Sequence, residues 1–122
     1  MNHYSRASQR RLETCHEDII IVMEDALQVM DNTILYGSRG EVMQNMMFDR
    51  GLSQLMFPLS KHNRVRSEAV DACPYPIDWE DLYRFHELNG VIQGIAFERG
   101  IRIAWGGKWK TFKDYCHWEL EL

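Results

Sequence analysis

The apolar residues of this chain follow a helical period in some segments and a two-residue period in others. Apolar residues three or four apart predict amphipathic helices, and strict alternation predicts strands buried on one face. The predicted helices are 17–30 (EDIIIVMEDALQVM), 40–50 (GEVMQNMMFDR) and 78–99, with a solvated helix start at Ser5–Leu12. The predicted strands are 32–36 (NTILY), 68–73 (EAVDAC), 101–105 (IRIAW) and 117–122 (HWELEL).

Turn and capping residues divide these segments. Asp78 is expected to be the N-cap of the long third helix, with Asp81 completing a capping box. Gly100 ends that helix, and residues 52–67 form an irregular connection. The order helix, strand, helix, loop, strand, helix, strand, strand predicts an α+β domain. Its helices are expected on one side of a small antiparallel sheet.

Length and charge narrow the class of protein. A chain of 122 residues predicts a single domain spanning 1–122. Its net charge of −4 gives no electrostatic basis for nucleic-acid binding. No apolar run approaches a membrane span, and no apolar segment follows the basic residues near the N-terminus, so neither membrane insertion nor a signal peptide is expected. The three cysteines include no CxxC pair, which predicts reduced thiols in a cytoplasm.

Three polar residues on or beside the strands are candidate ligands. Asp71 interrupts an apolar strand, His117 opens the last strand, and His62 lies upstream in SKH. A buried acid is costly unless it is paired or bound to metal. Two histidines and one aspartate are an ordinary ligand set for a catalytic zinc with one open position. The alternative is that Asp71 pairs with an arginine and the histidines lie on the surface. Since neighbours on a strand point to opposite faces, only one of Cys116 and His117 is expected to face the site.

Four ordered motifs resemble a known family: SKH…SEAVD, PYPIDW, WGG.W and D..HWEL. Together with Tyr36–Arg39 (YGSR), they cover nearly the whole chain. The resemblance is to zinc peptidases that cut peptidoglycan stem peptides. These include the VanY-type D-Ala-D-Ala carboxypeptidases and, more similar, the phage L-alanyl-D-glutamate endopeptidases. It implies the hedgehog/D-Ala-D-Ala-peptidase-like zinc peptidase fold.

The resemblance also implies roles for individual residues. His62, Asp71 and His117 would bind Zn²⁺. Asp114 would be the general base that takes a proton from water and passes it to the leaving amine. Arg39 would stabilise the carbonyl oxygen as it gains negative charge. Further candidates are Ser60, which could form a hydrogen bond near the site, and Trp105 and Trp109, which would either line the substrate cleft or pack in the core.

The chain departs from the family motifs at three places, two of them within the pattern SxHxxGxAxD. The loop between His62 and Asp71 is longer, Ser67 replaces the glycine, and Lys108 stands where many relatives have aspartate after WGG. No departure removes a ligand, but Lys108 is a candidate for altering the charge preference for substrate. If the longer loop is misaligned, Glu68 would be the ligand in place of Asp71.

The function expected from the resemblance is that of a monomeric, single-domain phage endolysin. It would cleave the L-Ala-D-Glu bond of the peptidoglycan stem peptide. It would be made in the host cytoplasm and reach the periplasm or cell wall after holin-type release. The alternatives are a D,D-carboxypeptidase or dipeptidase acting on D-Ala-D-Ala, and a non-catalytic zinc-binding domain of the same fold. The presence of Asp114 favours an enzyme.

Overall fold

The computed structural model describes residues 1–122 and contains four α-helices and four β-strands. The helices are α1 (Arg6–Glu13), α2 (Glu17–Val29), α3 (Glu41–Asp49) and α4 (Leu82–Glu98). The strands are β1 (Asn32–Tyr36), β2 (Ala69–Pro74), β3 (Ile103–Trp105) and β4 (His117–Leu120). Single turns of 3₁₀ helix lie at Lys61–Asn63 and Gly106–Lys108. No helix combines the length and apolar character that crossing a bilayer requires.

The four strands form one antiparallel sheet in the order β1-β2-β4-β3. Strand β4, the last in sequence, therefore pairs on both sides and lies in the interior of the sheet. Asp71 of β2 is directly opposite His117 of β4, and Val70 is opposite Trp118. Because side chains alternate along a strand, these two pairs point to opposite faces of the sheet.

One face of the sheet forms the core with helices α2 and α4. Helix α4 contributes apolar residues three or four apart, as an amphipathic helix requires. The fully or almost fully buried residues of this core include Ile19, Val22, Met23, Ile34, Val70, Phe85, Leu88, Ile92, Trp118 and Leu120. The Trp118 indole nitrogen donates a hydrogen bond to Asn89 Oδ1 at 3.0 Å, which satisfies both buried polar groups. The opposite face of the sheet carries Asp71 and His117.

The predicted α+β class and antiparallel sheet are confirmed, and the predicted elements lie close to the observed ones. The solvated helix start at Ser5–Leu12 corresponds to α1, with Ser5 as its N-cap. The predicted capping box of α4 is wrong. Helix α4 begins at Leu82 with Asp81 as its N-cap, and Asp81 makes no side-chain capping hydrogen bond. Asp78 instead caps the preceding turn, where its Oδ1 accepts from the Glu80 backbone N–H at 3.0 Å.

Candidate metal centre

A backbone carbonyl orients the ring of His62. This histidine lies in the 3₁₀ turn Lys61–Asn63, which is closed by a capping box between Ser60 and Asn63. Its Nδ1 is 2.8 Å from the carbonyl oxygen of Gly37. Because a carbonyl oxygen only accepts hydrogen bonds, Nδ1 must carry the proton, and in the neutral ring Nε2 has a free lone pair.

Asp71 and His117 are brought together by the pairing of β2 with β4. Asp71 Oδ1 is 3.1 Å from His117 Nδ1 and 3.1 Å from His62 Nε2. The two histidine nitrogens are 3.2 Å apart. The longer loop before Asp71 therefore leaves the expected ligands together, and His62 is buried beside the other two instead of lying on the surface. Glu68, the alternative ligand, pairs with Arg64 at 3.6 Å.

These three buried side chains form a group that can hold a metal ion. The His117 Nε2 is 2.8 Å from Glu119 Oε1, and since a carboxylate accepts, Nε2 carries the proton. In neutral rings, His62 Nε2 and His117 Nδ1 then direct lone pairs at the same point as Asp71 Oδ1. Three converging lone pairs repel one another unless a cation lies between them. The arrangement thus requires a metal ion or an additional proton.

The electrostatics of the metal-free site also favour a bound cation. Burial would lower the pKa of His117, but hydrogen bonds to Asp71 and Glu119 outweigh burial and raise the pKa to about 9. Burial would raise the pKa of Asp71, but the neighbouring histidines hold it well below its usual value. The pocket therefore keeps its carboxylate ionised and attracts positive charge.

Arg39 contacts the other oxygen of the same carboxylate. It is only 5% exposed, and its Nη2 donates to Asp71 Oδ2 at 3.0 Å. Its Nη1 donates to Gln44 Oε1 at 2.9 Å, and its guanidinium carbon lies 4.8 Å from the centre of the Tyr36 ring. The Nε is a buried donor without a partner. The arginine pairing that was the alternative for Asp71 thus exists beside the histidine contacts, because each carboxylate oxygen serves a different neighbour.

Asp114 lies beside this group without being one of its three converging side chains. Its backbone N–H donates to the Gly106 carbonyl at 3.0 Å, and its own carbonyl accepts from the His117 backbone N–H at 3.2 Å. Ligand atoms of Asp114, Asp71 and Cys116 all lie within 4.8 Å of one another. Burial, followed by the negative charge of Asp71, raises the pKa of Asp114. A raised pKa is what a carboxylate needs to accept a proton near neutral pH.

The expectation that only one of Cys116 and His117 faces the site is wrong. Cys116 lies in the turn before β4, where the alternation rule for strands does not apply. Its Sγ lies 3.3 Å from Asp114 Oδ1, and the thiol donates to that carboxylate. Burial, followed by the charges of Asp71 and Asp114, raises the pKa of Cys116. The thiol therefore stays protonated and acts as a hydrogen-bond donor.

Comparison with known proteins gives the family. The family model of the phage L-alanyl-D-glutamate peptidases matches residues 1–120. The chain belongs to this family. It is 29% identical over 117 residues to the L-alanyl-D-glutamate peptidase of Escherichia phage T5, covering 92% of this chain and 85% of that enzyme. The crystal structure of the Serratia marcescens L-Ala D-Glu endopeptidase ChiX matches with a TM-score of 0.84 and 29% identity, over 97% of this chain and 89% of that one. The resemblance carried by the four sequence motifs is thereby confirmed.

The remaining candidates of the sequence analysis lie at different distances from the group of His62, Asp71 and His117. Ser60 caps the turn that carries His62, because the His62 backbone N–H donates to the Ser60 Oγ at 3.2 Å. Trp105 belongs to the core, whereas the Trp109 ring centre is 5.1 Å from that of His117. Lys108 is exposed. Of the two tryptophans, only Trp109 is therefore in position to border a substrate cleft.

Sequence reasoning missed four residues that support the site: Gly37, Gln44, Lys61 and Glu119. A signal for Glu119 was present, because it lies two residues after His117 on a strand and so faces the same side of the sheet. Gly37 lies in the YGSR motif, but nothing in the sequence indicates a role for its carbonyl oxygen. The structure shows that a Cβ there would collide with the Arg11 carbonyl and the Thr14 hydroxyl. Gln44 carries no local signal, since its contact with Arg39 depends on the packing of α3.

Proposed function

We propose that this member of the phage L-alanyl-D-glutamate peptidase family is a zinc-dependent peptidoglycan hydrolase. It would cleave the bond between L-Ala and D-Glu of the stem peptide. The observation that carries the proposal is the triangle of His62 Nε2, Asp71 Oδ1 and His117 Nδ1, with edges of 3.1–3.2 Å. Ligand atoms of a tetrahedral zinc with bonds of about 2.0–2.1 Å are separated by roughly 3.3 Å. The triangle therefore fits zinc with little movement.

The donor set itself is that of a catalytic zinc. Two imidazole nitrogens and one carboxylate oxygen leave a fourth tetrahedral position for water or substrate. When bound, zinc supplies a Lewis acid that polarises the scissile carbonyl and makes water a better nucleophile near neutral pH. His62, Asp71 and His117 would hold this ion against the open face of the sheet.

Asp114 is proposed as the general base. Its carboxylate lies within 4.8 Å of a ligand atom of Asp71 yet is not part of the His–Asp–His triangle. It would take a proton from the attacking water and give it to the nitrogen of the leaving D-Glu. The Cys116 thiol, 3.3 Å away, would hold one carboxylate oxygen and leave the other free for the proton.

Arg39 is proposed to stabilise the substrate oxyanion, with a second role of orienting Asp71. Its Nη1 and Nη2 are engaged by Gln44 and Asp71, and only Nε lacks a partner. The positive charge of the guanidinium lies next to Asp71, where it would stabilise a substrate carbonyl oxygen held at the site as that oxygen gains negative charge. Orientation of Asp71 follows from the 3.0 Å ion pair.

For the biological setting, we propose a monomeric phage endolysin. It would be synthesised in the host cytoplasm and act in the periplasm or cell wall after holin-type release. Membership of the phage L-alanyl-D-glutamate peptidase family supports this setting. The net charge of −4 supports action without nucleic-acid binding. Trp109, beside His117, is the proposed wall of the cleft for the stem peptide.

The test is digestion of purified peptidoglycan followed by mass spectrometry of the fragments. Cleavage as proposed releases stem peptides that begin with D-Glu, and dialysis against a chelator abolishes cleavage until zinc is restored. Release of free D-Ala instead would indicate the D,D-carboxypeptidase alternative. A protein that binds zinc but cleaves no peptidoglycan would indicate the non-catalytic alternative.

A further inference from the structure

An ion pair outside the ligand triangle connects the elements that carry both histidines. Glu119 lies on the same face of β4 as His117, and its Oε1 is 2.8 Å from His117 Nε2. Its other oxygen, Oε2, is 3.2 Å from Lys61 Nζ. Lys61 immediately precedes His62, and its ammonium also donates to the Leu120 carbonyl. One short chain of contacts thus joins the turn of His62 to the strand of His117.

The two histidines are oriented by partners of different kinds. A neutral backbone carbonyl, that of Gly37, accepts from His62. A carboxylate accepts from His117, and a carboxylate partner makes the opposite ring nitrogen a stronger electron-pair donor. Lys61 holds the second oxygen of Glu119, so that Oε1 remains directed at the ring. Without this restraint the Glu119 side chain has several rotamers, of which few reach His117.

We propose that Glu119 and Lys61 are a positioning pair that orients His117 and sets the zinc affinity of the site. The inference rests on the proposed function, because it requires that the triangle binds zinc. Glu119 would fix the tautomer and ring angle of His117, and Lys61 would fix Glu119. Neither residue touches the metal or the substrate.

The competing explanation is a simple surface ion pair. The Lys61 and Glu119 side chains are 28% and 23% exposed, and ion pairs near the surface contribute little to stability. That explanation predicts the same zinc affinity in wild type and variants. The positioning role instead predicts a loss of about 10- to 100-fold in zinc affinity, as is typical when the partner of a ligand histidine is removed.

The experiment is a zinc titration of metal-stripped protein against a competing chelator. The variants are Glu119→Ala, Glu119→Gln, Lys61→Met and the double variant Glu119→Ala/Lys61→Met. The matched control is Glu121→Gln, which changes an exposed acid immediately after the same strand. Cobalt substitution adds a spectroscopic measurement, since the visible spectrum of Co²⁺ follows the geometry of its ligands. Urea unfolding of the metal-free proteins measures stability separately.

Glu119→Ala should weaken zinc binding about 10- to 100-fold, and Glu119→Gln should recover part of the loss because its amide oxygen still accepts from His117. Lys61→Met should weaken binding more in the wild-type background than in Glu119→Ala, since the part of its effect that passes through Glu119 is already lost there. Zinc affinity and cobalt spectra equal to those of Glu121→Gln would overturn the positioning pair. Failure of the wild type to bind zinc would instead overturn the metal site itself.

Discussion

Replacing Asp71 by asparagine removes the one negative charge that His62, His117 and Arg39 share. The side chains of Arg39 and Asp71 are 4% and 7% exposed, so the neutral amide would leave the guanidinium charge buried without a counter-ion. Removing one partner of a buried ion pair costs about 3–5 kcal/mol. Because asparagine still offers Arg39 an oxygen, we expect the metal-free variant to lose about 3 kcal/mol of unfolding free energy.

The same substitution should reduce zinc affinity more than 100-fold, since a lost ligand exceeds the roughly 10- to 100-fold effect of a lost ligand partner. The matched control is Glu68→Gln, which removes an acid three residues upstream that pairs only with the exposed Arg64. Its expected cost is below about 1 kcal/mol, with no change in zinc affinity. Urea unfolding and a chelator-competition titration measure both quantities. If Glu68→Gln weakened zinc binding more than Asp71→Asn, the assignment of Asp71 as ligand would be refuted.

Three further predictions address the base, the pH response and the backbone support. Asp114→Asn should keep its zinc and fold, but its rate of peptidoglycan hydrolysis should fall by about 10²- to 10⁴-fold. Metal content and muropeptide release are measured on one preparation. Cleavage near the wild-type rate would place the base elsewhere. The pKa of His117 in the metal-free protein, about 9, lies above the ordinary 6.5. The stabilisation by protonated His117 is therefore complete below pH 6.5 and is lost as the pH rises through 9, by at most roughly 3 kcal/mol. Urea unfolding should show this loss in the metal-free wild type but not in His117→Gln. Gly37→Ala should lower the unfolding free energy by about 1–3 kcal/mol, because its Cβ collides with the Arg11 carbonyl. It should also weaken zinc binding by displacing the carbonyl that orients His62. Unchanged stability and unchanged zinc affinity would contradict this reasoning.

Much of the local structure follows from the sequence alone. The short segment NTILY, closed by Gly37, predicts β1 at its observed bounds, Asn32–Tyr36, and the apolar spacing of residues 17–30 predicts α2 within one residue. The helix follows a local rule, because a helix turns the same face to the core every third or fourth residue. The ordered motifs around His62, Asp71 and His117 similarly indicated the family and a candidate ligand set.

The start of α4 and the position of Cys116 were predicted wrongly because local patterns were read beyond their range. Both Asp78 and Asp81 are suitable N-caps, and the sequence favours the earlier one. The turn before the helix uses Asp78 to satisfy the Glu80 N–H, so the helix starts only after Asp81. Cys116 precedes a strand without belonging to it, so the alternation that places His117 does not extend back to it.

The site itself depends on contacts between residues distant in sequence. Asp71 meets His117 only because β4 pairs with β2 in the register that places them opposite each other. Arg39 reaches the same carboxylate because a register shift between Ile34 and Tyr36 also brings the end of β1 to Asp71. Periodicity determines which face of its own strand a residue occupies, but not which strand lies beside it or in which register. Strand pairing and packing across the sheet decide those two properties, and with them the distances on which the proposed metal binding depends.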